Sequence, residues 1–319
     1  MSRMTAPEIS VVIPTLRRET RLAFALEALA QQTIGPERFE VVVVRVVGER
    51  GPFAVAPDRL TVRDLEAPAP SASGQRNVGW RTASAPLIAF TDDDCRPAPD
   101  WLERLLDALS RDAVIAQGKT EPDPDERQLL APTAMSQEID GASDWYEACN
   151  IAYPRRLLEE LGGFDEAFTY GAEDTDLGLR ARAAGAERVF VPAALVRHAV
   201  HARPLHRALL DAPPRPTVPL AFARHPVLRR NLYLRVFWNR RHAQLLLGLA
   251  GLALLGRRRG SVAMVPYLSS QLRYSAGSVR PTPRGLARFA LSLAERLAID
   301  LAGLLTSARR SARHKTLIL

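Results

Sequence analysis

Residues 87–94 read LIAFTDDD. Five mainly apolar residues, too few for a helix, run straight into three consecutive aspartates. The pattern predicts a buried strand over 87–91 whose end carries an acidic turn. Working upstream, strand signals recur at residues 8–14 (EISVVIP), at 40–47 (EVVVVRVV) and, more weakly, at 59–65. Between them, residues 18–32 place Leu22, Ala25, Leu26 and Leu29 at helical spacing, and residues 72–82 read as a short helix. Downstream, residues 99–109 put a proline in the first helical turn and Leu102, Leu105, Leu106 and Leu109 on one face. Such alternation predicts an α/β layered fold with a mostly parallel sheet. Ligands of these sheets bind outside the carboxyl ends of the strands, which points to the residues just after Pro14, Val47 and Thr91.

Charge divides the chain. The whole of its 319 residues carries a net +8, but residues 1–200 sum to −10 and residues 201–319 to +18. Hydrophobic content of 47% and charged content of 24% exclude a disordered chain. Together with the proline-bearing stretch 212–219 (APPRPTVP), the split predicts a domain over 1–210 and a basic region over 211–319. Two cysteines, Cys95 and Cys149, provide neither a disulfide framework nor a zinc cluster, so a reducing cytoplasmic location is expected. The opening MSRMTAPEIS has no apolar core of a signal peptide.

Asp92, Asp93 and Asp94 repel one another, and concentrating them at one strand end calls for a cation. Mg²⁺ or Mn²⁺ suits hard carboxylate oxygens shared with substrate phosphates. The alternative is a solvated turn ahead of the helix near residue 99, for which Asp100 is the better cap. A second acidic stretch, GAEDTDLGLR at residues 171–180, reads as a helix start favoured by the helix dipole. Three acids are more than a start needs. Asp176 and Arg180 have the spacing of an ion pair, which leaves Glu173 and Asp174 as candidate general bases.

The strings ISVVIPTLRR (9–18), SGQRNVGWRTASAPLIAFTDDDCRPAPDWL (73–102), CNIAYPRRLLEELGGFDEAF (149–168) and GAEDTDLGLRARAAG (171–185) resemble, in order, the family 2 glycosyltransferases of GT-A fold. The resemblance covers residues 9–198. It implies a Rossmann-like central sheet and an inverting transfer from a nucleotide-diphosphate sugar, with Mn²⁺ or Mg²⁺ as cofactor. It further implies metal ligation by Asp92, Asp94 and His198, and donor contacts from Pro14, Thr15, Arg17, Arg76, Asn77, Asp92 and Asp93. Acceptor contacts would come from Trp145, Asn150, Gly163, Phe164 and Asp165. The base would be Asp174, in preference to Glu173. One departure stands out: where members carry a base-reading aspartate at the end of the second strand, this chain has Arg45, which has donors only.

After residue 220, arginines mix with aromatic and aliphatic residues. The apolar run 243–256 (AQLLLGLAGLALLG) is too short to span a bilayer, which needs about 20 residues. Residues 285–307 set Leu286, Phe289, Leu293, Leu297, Leu301 and Leu304 at helical spacing between basic flanks. Two readings stay open: helices on an anionic membrane surface, or helices packed as a core with a solvated basic face. The first implies a peripheral protein at the inner face of the plasma membrane with a lipid-linked or cell-surface glycan as acceptor. Nucleic acid is not expected, since no binding motif accompanies the charge. A non-catalytic nucleotide-sugar-binding relative and a membrane-associated scaffold with a degenerate transferase domain are the alternatives.

Overall fold

A computed structural model describes residues 6–48, 57–109, 114–131, 133–211, 214–275 and 282–319. The chain forms two compact units, one of residues 1–129 and 135–201, the other of residues 130–134 and 202–319. The break therefore falls after His201, ahead of the proline-bearing stretch, whose residues 212 and 213 lie outside the described set.

The first unit is built on one eight-stranded sheet of order β3-β2-β1-β4-β7-β6-β8-β5. Its strands are β1 (Ile9–Pro14), β2 (Phe39–Val46), β3 (Val62–Ala67), β4 (Leu87–Thr91), β5 (Cys95–Pro97), β6 (Val114–Pro122), β7 (Asn150–Pro154) and β8 (Glu187–His198). Strands β3, β2, β1 and β4 are parallel, as the alternation with helices predicts. Beyond β4 the direction changes, because β7 runs antiparallel to both β4 and β6 and β5 antiparallel to β8. The sheet is therefore mixed but mostly parallel: β6 and β8 pair in parallel, and β7 and β5 are the strands that oppose the common direction. Strand direction in the later half is set by long connections that hydrophobic periodicity does not reveal.

Both faces of the parallel half are covered, which is why EISVVIP and EVVVV read as unbroken apolar runs. Every residue of β1 is buried. Helix α1 (Glu19–Ala30) turns Leu22, Ala25, Leu26 and Leu29 into the core, and α3 (Trp101–Leu109) adds Trp101, Leu102, Leu105 and Leu109. Asp100 stands immediately before α3, and its carboxylate accepts from Arg104 Nε one turn on, at 3.0 Å. Helix α2 (Ala72–Thr82) starts at Ser71, whose hydroxyl accepts from the Gly74 amide at 3.1 Å. Within α2, Gln75 Nε2 donates to the carbonyls of Thr15 at 2.8 Å and Val44 at 2.7 Å. One buried side chain thus pins together the carboxyl ends of β1 and β2, where a ligand would bind.

The first unit also holds α4 (Arg155–Leu161) and α5 (Glu173–Ala183). The second unit is helical, with α6 (Leu205–Leu210), α7 (Val218–Arg224), α8 (Arg240–Ser275) and α9 (Pro283–Arg313). Among the described residues, no helix is long and apolar enough to cross a membrane.

Candidate active site

The three aspartates leave β4 at the sheet's carboxyl edge and separate into different environments. Asp93 is buried, and its Oδ2 accepts from Thr15 Oγ1 at 2.7 Å. Arg18 Nη1 donates to Asp93 Oδ1 at 3.1 Å and to Asp94 Oδ2 at 2.5 Å, so one guanidinium serves two carboxylates. One cation for two acids leaves a deficit: burial, then the charge of Asp94, push the Asp93 carboxyl up to about 7. Burial acts on Asp94 too, but the hydrogen bond from His201, with His198 and Arg18 close by, outweighs it and holds that carboxyl well below the usual range.

Asp94 is the most heavily engaged of the three. His201 Nε2 lies 2.7 Å from its Oδ2, and His198 Nε2 lies 3.6 Å from its Oδ1. Asp94 Oδ1 is itself buried with no hydrogen-bond partner. The His198 Nδ1 is 2.8 Å from the carbonyl of Ala199, which can only accept, so Nδ1 carries the proton in a neutral ring. Its Nε2 lone pair then faces the orphaned Asp94 oxygen. Two acceptors facing each other across 3.6 Å fit a hard cation. Cys95 lies within 4.8 Å of the same two atoms. Burial and the neighbouring Cys149 push its thiol far up, which keeps it protonated and a poor ligand for such a cation. Asp92 does not belong to this group; its Oδ1 accepts from Arg76 Nη2 at 2.7 Å.

The other hand of Arg76 reaches the second acidic stretch. Its Nη1 donates to Glu173 Oε1 at 2.9 Å, so a single buried guanidinium joins the end of β4 to the start of α5. Phe164 packs against this cation, its ring centroid 5.7 Å from the guanidinium carbon, and meets Phe90 edge-on at 5.1 Å. Asp174 is placed differently. It is partly exposed, and its carboxylate accepts only from neutral groups, the amides of Ala148 at 3.1 Å and Thr175 at 2.8 Å and the Thr175 hydroxyl. Burial first, then Glu173, push the Asp174 carboxyl up to about 7, against the pull of Arg76, and Glu147 adds to the rise. The ion pair read from spacing is present: Asp176 accepts from Arg180 at 2.8 Å.

The structure redistributes several residues read from the sequence. Arg17 is exposed and takes a left-handed φ of 54°, and it is its neighbour Arg18 that reaches the aspartates. Pro14 is buried at the end of β1. Asn77 is closed off from ligand, its amide donating to the Phe164 carbonyl and to Glu166 at 2.9 Å and accepting from Phe164 N and Trp80 Nε1. It holds the loop over 162–166 in place. Asn150 is corrected more firmly. It is fully buried, accepts from Trp101 Nε1 at 2.8 Å and donates to the carbonyls of Lys119 and Ala194, with nothing left for an acceptor sugar. Gly163 has a φ of 78° and sits where a Cβ would be 2.6 Å from Trp80 Nε1, so no other residue fits. Phe164 is buried, and Asp165 accepts from the Ala167 amide at 2.8 Å. Trp145 is half-buried beside α5, its carbonyl accepting from Thr175 Oγ1 at 2.8 Å.

Arg18, His201 and Glu147 were missed by sequence reading. Arg18 is the second of a tandem pair, and only the turn at Arg17 decides which of the two points inward. His201 follows the end of β8 by three residues, where strand periodicity has lapsed. A cleft of about 350 Å³ beside Asp94, lined by Arg21, Phe24, Arg96, Glu126 and others, was also not foreseen. At the other end of the site, Arg45 Nη2 donates to Asp64 Oδ2 on the neighbouring strand at 2.9 Å, so a carboxylate does stand near the end of β2.

A validoxylamine A glucosyltransferase of Streptomyces hygroscopicus subsp. limoneus is 30% identical over 223 residues, covering 56% of this chain and 49% of that protein. The O-antigen chain rhamnosyltransferase RfbN of Salmonella typhimurium is 26% identical over 208 residues, covering 60% of this chain and 66% of that protein. The chain thus spans about half the length of the first of these relatives. Among solved structures, the mannosyltransferase PcManGT from Pyrobaculum calidifontis, in complex with GDP-Man and Mn2+, superposes with a TM-score of 0.56 at 20% identity, covering 94% of this chain and 88% of that one. This likeness establishes the GT-A architecture with its C-terminal helices. The model of "Glycosyltransferase like family 2" matches residues 6–210, nearly the whole sheet-bearing unit and every acidic residue described above, and the chain belongs to that family.

Proposed function

We propose that the protein transfers a sugar from a nucleotide-diphosphate sugar to a hydroxyl acceptor with inversion at the anomeric carbon. The observation that carries this reading is the Arg76 bridge: Asp92 and Glu173, 81 positions apart in the chain, share one guanidinium, so the donor-side and base-side acids belong to one site.

Asp94 Oδ1 and His198 Nε2 are the atoms that would hold Mn²⁺ or Mg²⁺, with Asp92 accessible beside them. The chemistry such a cation would supply there is positive charge for a diphosphate leaving group. Arg18 and Arg76 set two further positive charges along the same edge, and Thr15 with Asp93 shapes the floor beneath the donor. Asp174 Oδ takes the proton of the acceptor hydroxyl. The acceptor oxygen forms its bond to the anomeric carbon as the bond from that carbon to the diphosphate oxygen breaks, and the nucleoside diphosphate departs. A single displacement of this kind needs no carboxylate nucleophile, in contrast to retaining glycosidases. Asp174 suits the base better than Glu173, whose charge is committed to Arg76. Trp145 and the 162–166 loop border the acceptor side. The +18 charge of residues 201–319 favours an acceptor carried on an anionic membrane, such as a lipid-linked glycan.

The test is release of nucleoside diphosphate from a panel of nucleotide sugars, with and without Mn²⁺, in the presence of a lipid-linked glycan extract. Metal-dependent release by the wild type, lost in Asp174→Asn, is the expected result. Nucleotide binding with no release from any donor would make the chain a non-catalytic relative.

A further inference from the structure

The second unit contains a helical hairpin that the charge pattern alone does not reveal. Helix α8 is interrupted at Gly256, whose φ of 71° and ψ of 175° reverse the chain. Residues 240–255 and 257–275 then pack against each other as two antiparallel arms. Their approach depends on glycine. A Cβ on Gly251 would sit 2.6 Å from the Cβ of Ala263, and one on Gly260 would strike the Gly251 carbonyl. One face of the hairpin is covered: Leu245 and Tyr267 pack with Leu304 of α9. On that side Asp300 accepts from Tyr267 Oη at 3.1 Å and Gln271 Nε2 at 2.8 Å.

The other face is exposed among the described residues. Val262, Val265, Leu268 and Leu272 follow one another at helical spacing along the second arm, each at least half exposed. Leu247 and Leu254 do the same on the first arm, Leu254 being 82% exposed. The turn between the arms carries Arg257, Arg258 and Arg259, all exposed. Acids are scarce: residues 201–319 contain only Asp211, Glu295 and Asp300, and Asp300 is ion-paired with Arg241 at 3.3 Å.

We propose that this hairpin docks on an anionic lipid bilayer, lying in the interface with its leucine and valine stripe in the acyl boundary and Arg257–Arg259 on lipid phosphates. Charge complementarity selects the occupant. A second copy of this chain would bring +18 against +18, whereas an anionic surface is attracted by each arginine near it. Among the described residues neither arm is long and apolar enough to span a bilayer, so the contact is superficial. The proposal deepens the membrane-borne acceptor reading above and stands apart from the chemistry of the sheet-bearing unit.

The test is flotation of the full chain with vesicles of phosphatidylcholine alone and of phosphatidylcholine with about one-third phosphatidylglycerol. Binding is expected to the second composition only. Leu254→Ser with Val265→Ser should weaken it about tenfold or more, and Arg257→Gln with Arg258→Gln and Arg259→Gln by on the order of a hundredfold. Because the substituted residues are exposed, the helical signal and thermal midpoint should not change. A fluorophore on Leu254→Cys should shift to the blue on phosphatidylglycerol vesicles, while one on Glu27→Cys in the other unit should not. Asp174→Asn should bind vesicles like the wild type, and the hairpin variants should keep a Mn²⁺-dependent thermal shift with nucleoside diphosphate, so the two readings fail separately. Wild-type chain that stays off anionic vesicles overturns the proposal. So does unchanged binding by both variants, or a lipid-free dimer that Leu254→Ser with Val265→Ser makes monomeric.

Discussion

The end of β4 and the start of α5 are both dense in carboxylates, yet the fold treats them differently. At residues 92–94, each acid meets a basic side chain: Arg76 on Asp92, Arg18 on Asp93 and Asp94, and histidines on Asp94. At residues 173–174 only the first is matched. Glu173 is held by Arg76, while among the described residues Asp174 has no ion pair at all. A buried carboxylate without a counter-charge holds its proton more tightly. Like residue types therefore sit in different surroundings: its partners hold Asp94 well below the usual carboxylate range, while burial pushes both Asp93 and Asp174 up to about 7, Asp93 beside a shared guanidinium and Asp174 with no ion pair among the described residues. Sequence composition shows two acidic patches.

Removing the unmatched acid should have the largest effect. Asp174→Asn keeps an acceptor oxygen for the Ala148 amide and deletes the proton acceptor. Turnover should fall by about a hundredfold to ten-thousandfold, with nucleoside diphosphate binding little changed. Equal losses in turnover and nucleotide binding would move Asp174 to the donor side. In the wild type, kcat should rise with pH through about 7, as the carboxylate is set free. Stability should run the other way. A carboxyl raised from 3.8 to about 7 on folding gives the folded state extra proton affinity, so its contribution is complete below pH 3.8 and is lost as pH rises toward 7. Asp174→Asn should accordingly melt higher than wild type at about pH 8 and show a smaller advantage at about pH 5. A lower melting point at both values would break the contrast between the two patches.

The shared cation is the next place to press. Arg76→Met leaves Glu173 buried with its counter-charge gone and Asp92 without its partner. Removing one partner of a buried pair costs about 3–5 kcal/mol, and unfolding by urea should read a loss of that order. Arg45→Met, whose partner Asp64 is nearly half exposed, serves as the control and should cost far less. If the two variants lose similar stability, Arg76 is not the joint between the patches.

Which parts of this site are legible in the sequence follows from what each part depends on. The strands β1, β2 and β4 and helix α2 announce themselves because local periodicity and turn residues decide them. Asp176 with Arg180 is visible because helix geometry alone sets their distance. The Arg76 bridge depends on two segments far apart in the chain, so no local pattern carries it. The same is true of Arg18 over Arg17: both have the right chemistry, and a single left-handed residue selects between them. Asn150 misled for a related reason. Its side chain is taken up by Trp101 and by the carbonyls of Lys119 and Ala194, contacts between segments far apart in the chain that no local spacing encodes.

A gentler probe of the strand end is the pair of facing acceptors. His198→Ala removes one of them while leaving the Asp94 hydrogen bond to His201. The wild type should gain thermal stability on adding Mn²⁺, and the variant should need about ten to a hundred times more metal for the same gain. Isothermal titration reads the same difference without catalysis. Unaltered Mn²⁺ affinity would shift the metal toward Asp92 and remove His198 from the site.

The smallest expected effect concerns the far edge of the sheet, where Arg45 stands in place of a carboxylate. Its guanidinium, mostly buried, is anchored on Asp64, whose carboxylate is nearly half exposed. An anchored arginine can donate to a base carbonyl, and the paired carboxylate can still accept from a base N–H, so together they present both halves of a recognition edge. Asp64→Asn keeps the shape and removes the charge. Stability should change by less than about 1 kcal/mol, since one partner is solvent-exposed. The effect should fall on discrimination among nucleobases, read as a change of several-fold in relative KM across a donor panel with kcat held. A uniform change in KM for all donors would show that the Arg45–Asp64 pair supports the strand edge without reading the base, and would leave nucleobase choice to groups elsewhere along that edge.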